Sequence, residues 1–372
     1  MLDKIKVHWN TIKAEYEDRY NIPFLNDFEK SKTYLKKMEH DLLVMQQAHP
    51  SDVDIICTLA SVRLELRDSE DFYINILEDF LNNFGHSLDN IQKARIYTNI
   101  AFCNFYSNEA LGYLSKASKL KSPFGETYVG LGLCYFSKYQ LSKEKDFLFL
   151  SRKYFEMAMK IEDNYEYIFN YAVCLYELKE YEQAKKIFLD LLAKYPNRMR
   201  LMLCLAYCEV YLGNRDQAIY YLAQVKTGQD KNYNLDTDDI TDYQVFDVYY
   251  LLEEYDIFLT CWDDGCICEY YTVDWEHYFY VLWLKERKEQ FFELEEKNRL
   301  YLEEAIKEAI ASEDYDSEEE RQAIIAEWQK DKREFEKIIT RIKEGTLKPT
   351  VKLDLYPEYS CFMVDCIRHK LF

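Results

Sequence analysis

Two short cysteine-rich segments carry the residue types best suited to chemistry. Cys261, Cys266 and Cys268 fall in CWDDGCIC, and Cys361, Cys366 and His369 fall in CFMVDCIRH. Thiolates and an imidazole at such close spacing suit Zn²⁺, which takes Cys sulfur and His nitrogen in a tetrahedral shell, if the two segments meet. Neither segment holds a CxxC pair, and a four-residue gap equally suits thiols packed side by side in a helical core. Buried, reduced thiols are therefore the preferred reading, and no metal or other cofactor is expected. Other candidates are weaker. Asp274-Trp275-Glu276-His277 sets acid beside imidazole, but nothing in the sequence orients them. Asp236, Asp238 and Asp239 lack the glycine and terminal Glu of a calcium loop. Gly130 and Gly132 follow no strand, so they read as helix-packing positions rather than a phosphate cradle. No HExxH occurs, and the chain reads as non-enzymatic.

Composition states what must position these residues. Only 9 Gly and 6 Pro occur in 372 residues, too few for a turn-rich β architecture, so an all-α protein is expected. The net charge of −20 disfavours nucleic acid and anionic lipid and allows a basic protein partner. The 11 Cys are odd in number and lie mostly on apolar helix faces, which suits a reducing, cytoplasmic setting. The first residues carry no apolar signal core, and no uncharged run reaches membrane-spanning length.

Along the chain, Ile5, Trp9, Ile12 and Tyr16 recur at helical spacing from about Leu2 to Tyr20. A second helix is expected from about Asp27 to Gln47, and His49-Pro50-Ser51-Asp52 stops one element and starts the next. Paired helices follow from Asp52. Ala172 recurs as Ala206, and Ala184 as Ala218, a shift of 34 residues in both helices of a pair. After Lys231 the rhythm dissolves. A degenerate helix is expected at DVYYLLEEYDIFLTCW. One long helix is expected from Asp274 to about Ser312, and another from Ser317 to about Lys343 with a seam of Ile324, Trp328, Phe335, Ile338 and Ile342. These two read as an antiparallel hairpin. The last stretch, with VKLDLY between Pro349 and Pro357, reads as an extended arm followed by a short helix through Met363 and Ile367.

The paired blocks resemble tetratricopeptide repeats (TPRs). Tyr171-Ala172, Leu175, Tyr181, Ala184, Phe188 and Pro196 follow that family's order of large and small residues, as do Leu205-Ala206, Gly213, Ala218 and Leu222. Leu131-Gly132, Tyr135, Phe155 and Ala158 match in the preceding block, and Ile100-Ala101, Ala110, Leu114 and Ala117 match more loosely. Glu209 and Leu191 depart from the pattern, and extra residues around Leu141 to Asp146 lengthen one pair. The resemblance covers about half of the chain and implies an all-α, right-handed TPR-type solenoid of helix pairs. The expected organisation is an N-terminal helical region (1–50), a repeat array (51–232), and degenerate helices, a long helical hairpin and a tail (233–372). In plan the chain is also similar to bacterial peptide-pheromone regulators of the Rap type.

In TPR arrays the first helix of each pair, helix A, lines the concave face. The register places Val129, Leu133, Phe136, Phe169, Asn170, Val173, Tyr176, Glu177, Arg200, Leu203, Tyr207 and Tyr211 there. An aromatic wall with few polar groups suits a peptide or helix of a partner protein. The two-carboxylate clamp of chaperone-tail TPR domains is not expected, because Val173 and Glu177 stand where a second Asn and a Lys belong. The expected function is a non-enzymatic interaction module. The alternatives are a regulator or immunity-type protein that neutralises one partner with help from the hairpin, and a zinc protein or enzyme built on the Cys/His clusters.

Overall fold

The computed structural model describes the chain except residues 67–69, 106–108, 197, 226–239, 265–274, 313, 316, 359–360 and 370–372. Among the described residues the regular elements are helices. They cluster into two compact units, Met1–Leu191 with Leu355–Phe372, and Leu192–Asp354. The expected boundary at 232/233 lies outside the described residues.

The first unit begins with α1 (Leu2–Tyr20) and α2 (Phe28–Ala48). The apolar stripe of α1 is fully buried at Ile5, Trp9, Ile12 and Tyr16. Asp27 caps α2 by accepting from the Lys30 N–H at 3.1 Å, which is why the helix starts there. Four helix pairs follow: α3 (Val53–Leu66) and α4 (Glu70–Phe84), α5 (Asn90–Cys103) and α6 (Ala110–Lys119), α7 (Gly125–Ser142) and α8 (Lys145–Ile161), then α9 (Tyr165–Glu177) and α10 (Tyr181–Lys194), whose last turn passes the unit boundary. Asp52, Asp89 and Asn164 open α3, α5 and α9 by accepting backbone N–H groups. Successive A helices also touch, α3 on α5 and α5 on α7.

Small residues sit at the helix crossings, as the repeat pattern requires. Ala101, Ala117, Ala158, Ala172 and Ala184 are all fully buried. A Cβ at Gly132 would lie 2.6 Å from a ring carbon of Phe155, so only glycine lets α7 and α8 approach this closely. The extra residues around Leu141 to Asp146 appear as length: α7 has 18 residues against 13 in α9.

The second unit holds α11 (Met199–Tyr211) and α12 (Arg215–Leu222), α13 (Asp242–Leu251) and α14 (Tyr255–Asp264), α15 (Glu276–Leu284), α16 (Lys288–Ala311) and α17 (Glu318–Lys343). The long helix expected from Asp274 to Ser312 is two helices. Glu286 takes φ 57, its N–H bonds to the Trp283 carbonyl, and the Arg287 N–H reaches back to Leu282. The left-handed residue ends α15 with carbonyls satisfied by a Schellman-type turn. The same turn joins α9 to α10 at Lys179 (φ 66), α11 to α12 at Gly213 (φ 77) and α13 to α14 at Glu253 (φ 58). Helix pairing therefore continues past Lys231, where the residue pattern had faded.

The hairpin of α16 and α17 is present. Phe335 of α17 meets Phe279 of α15 with ring centroids 5.6 Å apart, and Lys332 and Lys343 pair with Glu303 and Glu295 of α16. Its buried seam is Ile325, Phe335, Ile339 and Ile342, so Ile325 and Ile339 replace the expected Ile324 and Ile338, and Trp328 is only half-buried. Residues 346–354 then carry no helix or strand. The Tyr250 hydroxyl donates to the Pro349 carbonyl at 2.6 Å, and the Leu353 N–H donates to the Tyr211 hydroxyl at 3.1 Å.

Candidate functional site: the A-helix face of the first unit

Residues 355–358 and 361–369 lie against the A helices of the first unit, with contacts on α9, α7, α5 and α3. Glu177 Oε1 of α9 accepts from the Leu355 N–H at 3.3 Å. Asn170, also of α9, grips the main chain at Glu358 from both sides. Its Oδ1 accepts the Glu358 N–H at 2.7 Å, and its Nδ2 donates to the Glu358 carbonyl at 3.0 Å. The Tyr165 hydroxyl donates to the Glu358 carboxylate at 3.1 Å. On α5, Asn99 Oδ1 accepts from the Val364 N–H at 2.8 Å while its Nδ2 donates to Asp365 at 2.9 Å. On α3, Ser61 Oγ accepts the Ile367 N–H at 2.9 Å. An asparagine amide offers an acceptor oxygen and N–H donors, so Asn170 satisfies both main-chain groups of Glu358 as a neighbouring strand would.

Apolar anchors fill the gaps between these bonds. Phe362 is fully buried and meets Phe102 and Phe105 edge-on, with centroids 5.1 Å and 5.4 Å away. A Cβ on Gly130 of α7 would come within 3.0 Å of the Phe362 ring, so this glycine makes room for the aromatic. Met363, Cys366 and Ile367 join the core cluster that holds Trp9, Ile56 and Ile100. The short helix expected through Met363 and Ile367 is absent: turns occur at 364–365 and 367–369. The N–H groups of Val364 and Ile367, which a helix would have turned inward, bond instead to Asn99 and Ser61.

Charge fixes the register. Arg95 Nε donates to Asp365 at 2.7 Å and its Nη2 bonds the other carboxylate oxygen, while Nη1 reaches Asp54 at 2.6 Å. Asp365 is almost wholly buried, and a bidentate guanidinium with an amide is what such a carboxylate needs. Burial works to raise the Asp54 carboxyl, but the Arg95 guanidinium overcomes it and holds the group below its ordinary value. Farther out, Arg368 makes a bidentate pair with Glu65 of α3.

Of the residues expected on this face, Asn170 and Glu177 bond to the tail directly. Val129, Leu133, Phe136, Phe169, Val173 and Tyr176 are buried. Arg200, Leu203, Tyr207 and Tyr211 belong to the second unit. There Leu203 is buried, Arg200 is half-buried, the Tyr207 hydroxyl donates to the Gln244 carbonyl at 3.0 Å, and Tyr211 accepts from Leu353. Ser61, Glu65, Arg95 and Asn99 were not expected. The repeat register could have found Asn99: Asn99, Gly130 and Asn170 each stand two residues before the small crossing residue of their A helix, at Ala101, Gly132 and Ala172. All three touch the tail.

Cys261 lies in α14 of the second unit, while Cys266 and Cys268 lie outside the described residues. Cys361, Cys366 and His369 come together by themselves, with ligand atoms all within 4.8 Å of one another. Hydrogen bonding from Cys361 and, against the cost of burial, from His369 pulls the Cys366 thiol well below its ordinary value. The paired imidazole of His369 is raised in turn. Elsewhere burial does the opposite and pushes Cys103 and Cys174 up to about 12. His277 is buried in the second unit with Nε2 3.1 Å from Asp247. Among the described residues, no helix is long and apolar enough to cross a membrane.

The tetratricopeptide repeat family model matches residues 166–198, the block of α9 and α10. The chain is a TPR-type helical solenoid. No curated protein matches it. Among solved structures, the apo form of RapI is similar at 15% identity and TM-score 0.50, covering 93% of this chain and 99% of that one. A tetratricopeptide repeat protein from Parabacteroides merdae shows 13% identity and TM-score 0.40, covering 86% of this chain and 98% of its own. YrrB, a TPR protein described as having an unusual peptide-binding site, shows 15% identity and TM-score 0.40, covering 49% of this chain and 89% of its own. At these identities the likeness concerns the fold alone.

Proposed function

We propose that this TPR solenoid is a non-enzymatic interaction module whose A-helix face in the first unit receives an extended segment of a partner protein, in place of its own tail. One observation carries the reading: side-chain amides on two A helices, Asn99 and Asn170, bond to the main chain of the segment lying across them. Main-chain bonds grip any extended peptide, whereas pockets set its sequence. Two pockets are present, an aromatic one over Gly130 and an acid-binding one at Arg95 and Asn99. The preferred segment therefore carries an aromatic residue three positions before an acidic one, as Phe362 and Asp365 do. This local requirement differs from a basic partner inferred from net charge, although Glu65 offers a basic residue one contact of its own. A tethered tail competes at an effective concentration of about millimolar. A partner segment must outbind it or engage further surface.

The test is binding in trans. A chain ending at Asp354, checked for folding by circular dichroism, is titrated with a labelled peptide of residues 355–372 and then screened against a random peptide library. Saturable binding that Asn99→Ala and Asn170→Ala each weaken at least tenfold, with library selection of an aromatic residue three before an acid, is expected. A folded chain that binds neither peptide nor library members contradicts the reading.

A further inference from the structure

We propose that Cys361, Cys366 and His369 form a Zn²⁺ site within the tail, and that the bound metal pins the tail on the A-helix face. The three donors converge although they come from a segment without helix or strand. The turn at 367–369 brings His369 Nδ1 to 3.2 Å from Cys366 Sγ, and all three ligand atoms lie within 4.8 Å of one another. Tetrahedral Zn²⁺ with sulfur at about 2.3 Å and nitrogen at about 2.0 Å places its ligand atoms roughly 3.5–3.8 Å apart. The observed separations, from 3.2 Å to no more than 4.8 Å, bracket that range, so small side-chain movements would close the site. Two soft sulfurs with one imidazole favour Zn²⁺ over hard cations, which prefer oxygen. Water would complete the tetrahedron, and Glu65 is taken up by Arg368.

The placement gives the metal a mechanical consequence. Cys366 is buried in the core cluster beside Ile367, whereas Cys361 is half-buried and His369 is exposed. A metal bridging them ties the outer turn to the anchored residue and closes the loop around Phe362, Met363 and Asp365. A ligand that binds only the docked tail stabilises docking by mass action. Zinc would thus oppose exchange of the tail for a partner segment. This consequence rests on the function proposed above, but the metal site itself does not.

The experiment uses the full chain, purified reduced and metal-free. It is titrated with Co²⁺, whose visible spectrum reports tetrahedral sulfur ligation, and then with Zn²⁺ in competition. Amide exchange of Val364 and Ile367 is followed with and without Zn²⁺. About one equivalent should bind. Cys361→Ser and His369→Ala, both outside the fully buried core, should each weaken binding at least tenfold while circular dichroism is unchanged. Cys261→Ser/Cys266→Ser/Cys268→Ser should bind normally. Zn²⁺ should slow tail exchange at least tenfold. Less than a tenth of an equivalent, or full binding by Cys361→Ser/Cys366→Ser/His369→Ala, overturns the site. Binding with unchanged exchange overturns the pinning. Where either result overturns the zinc proposal, exchange of the tail for added peptide still leaves the groove reading standing.

Discussion

At the scale of single residues, polar groups that a core would normally exclude define the site. Asn170 is fully buried, and it replaces water for the N–H and carbonyl of one tail residue. Truncation to Ala removes two interior hydrogen bonds to the Glu358 main chain, and losing a buried partner costs about 1–3 kcal/mol for each group. Asn170→Ala should therefore lower stability by about 2–4 kcal/mol in urea unfolding, with the loss shrinking in a chain that ends at Asp354. Gly130→Ala should act differently. Its Cβ would press on Leu114 and Phe362, so the aromatic must move, and tail exchange should rise with the helix content of the unit retained. The thiols divide in the same way. Burial raises Cys103 and Cys174 to about 12, so alkylation at neutral pH followed by mass spectrometry should leave both unmodified until the chain unfolds.

At the scale of elements, one backbone device recurs more faithfully than the side chains around it. Lys179, Gly213, Glu253 and Glu286 all occupy the left-handed region at the end of the first helix of a pair. Only Gly213 does so without steric cost, since a side chain in that region costs about 1–2 kcal/mol. Glu253→Gly and Glu286→Gly should thus each raise stability by about 0.5–1 kcal/mol, the relief being partly offset by the greater freedom of glycine in the unfolded chain. Thermal unfolding of the single and double variants measures it. The device also explains what the sequence concealed. Ala172, Ala184, Ala206 and Ala218 announce their repeats because helix crossings need small residues. At α13 to α16 the turns persist on Glu253 and Glu286, residues that give no hint of a left-handed backbone, so helix pairing there was unreadable and α15 and α16 merged into one expected helix. The first two helices were legible because their apolar stripes and the Asp27 cap agree.

At the scale of the whole chain, the pairing of the repeat helices was legible and the segment lying against them was not. Helical periodicity marks which side of α5, α7 and α9 faces inward. It says nothing about a segment more than 180 residues away in sequence that bonds to Asn170. The tail lacked a signal of its own because its order comes from Ser61, Asn99 and Asn170 rather than from local hydrogen bonds. The A-helix face grips the main chain of the tail through these side chains. Residue-resolved amide hydrogen exchange on the intact, metal-free protein tests it most directly. The amides of Glu358, Val364 and Ile367 should exchange at least a hundredfold more slowly than in a free peptide of the same sequence, and Asn99→Ala and Asn170→Ala should release Val364 and Glu358 respectively. Exchange of all three at the free-peptide rate, in a chain whose helices stay protected, would contradict the account.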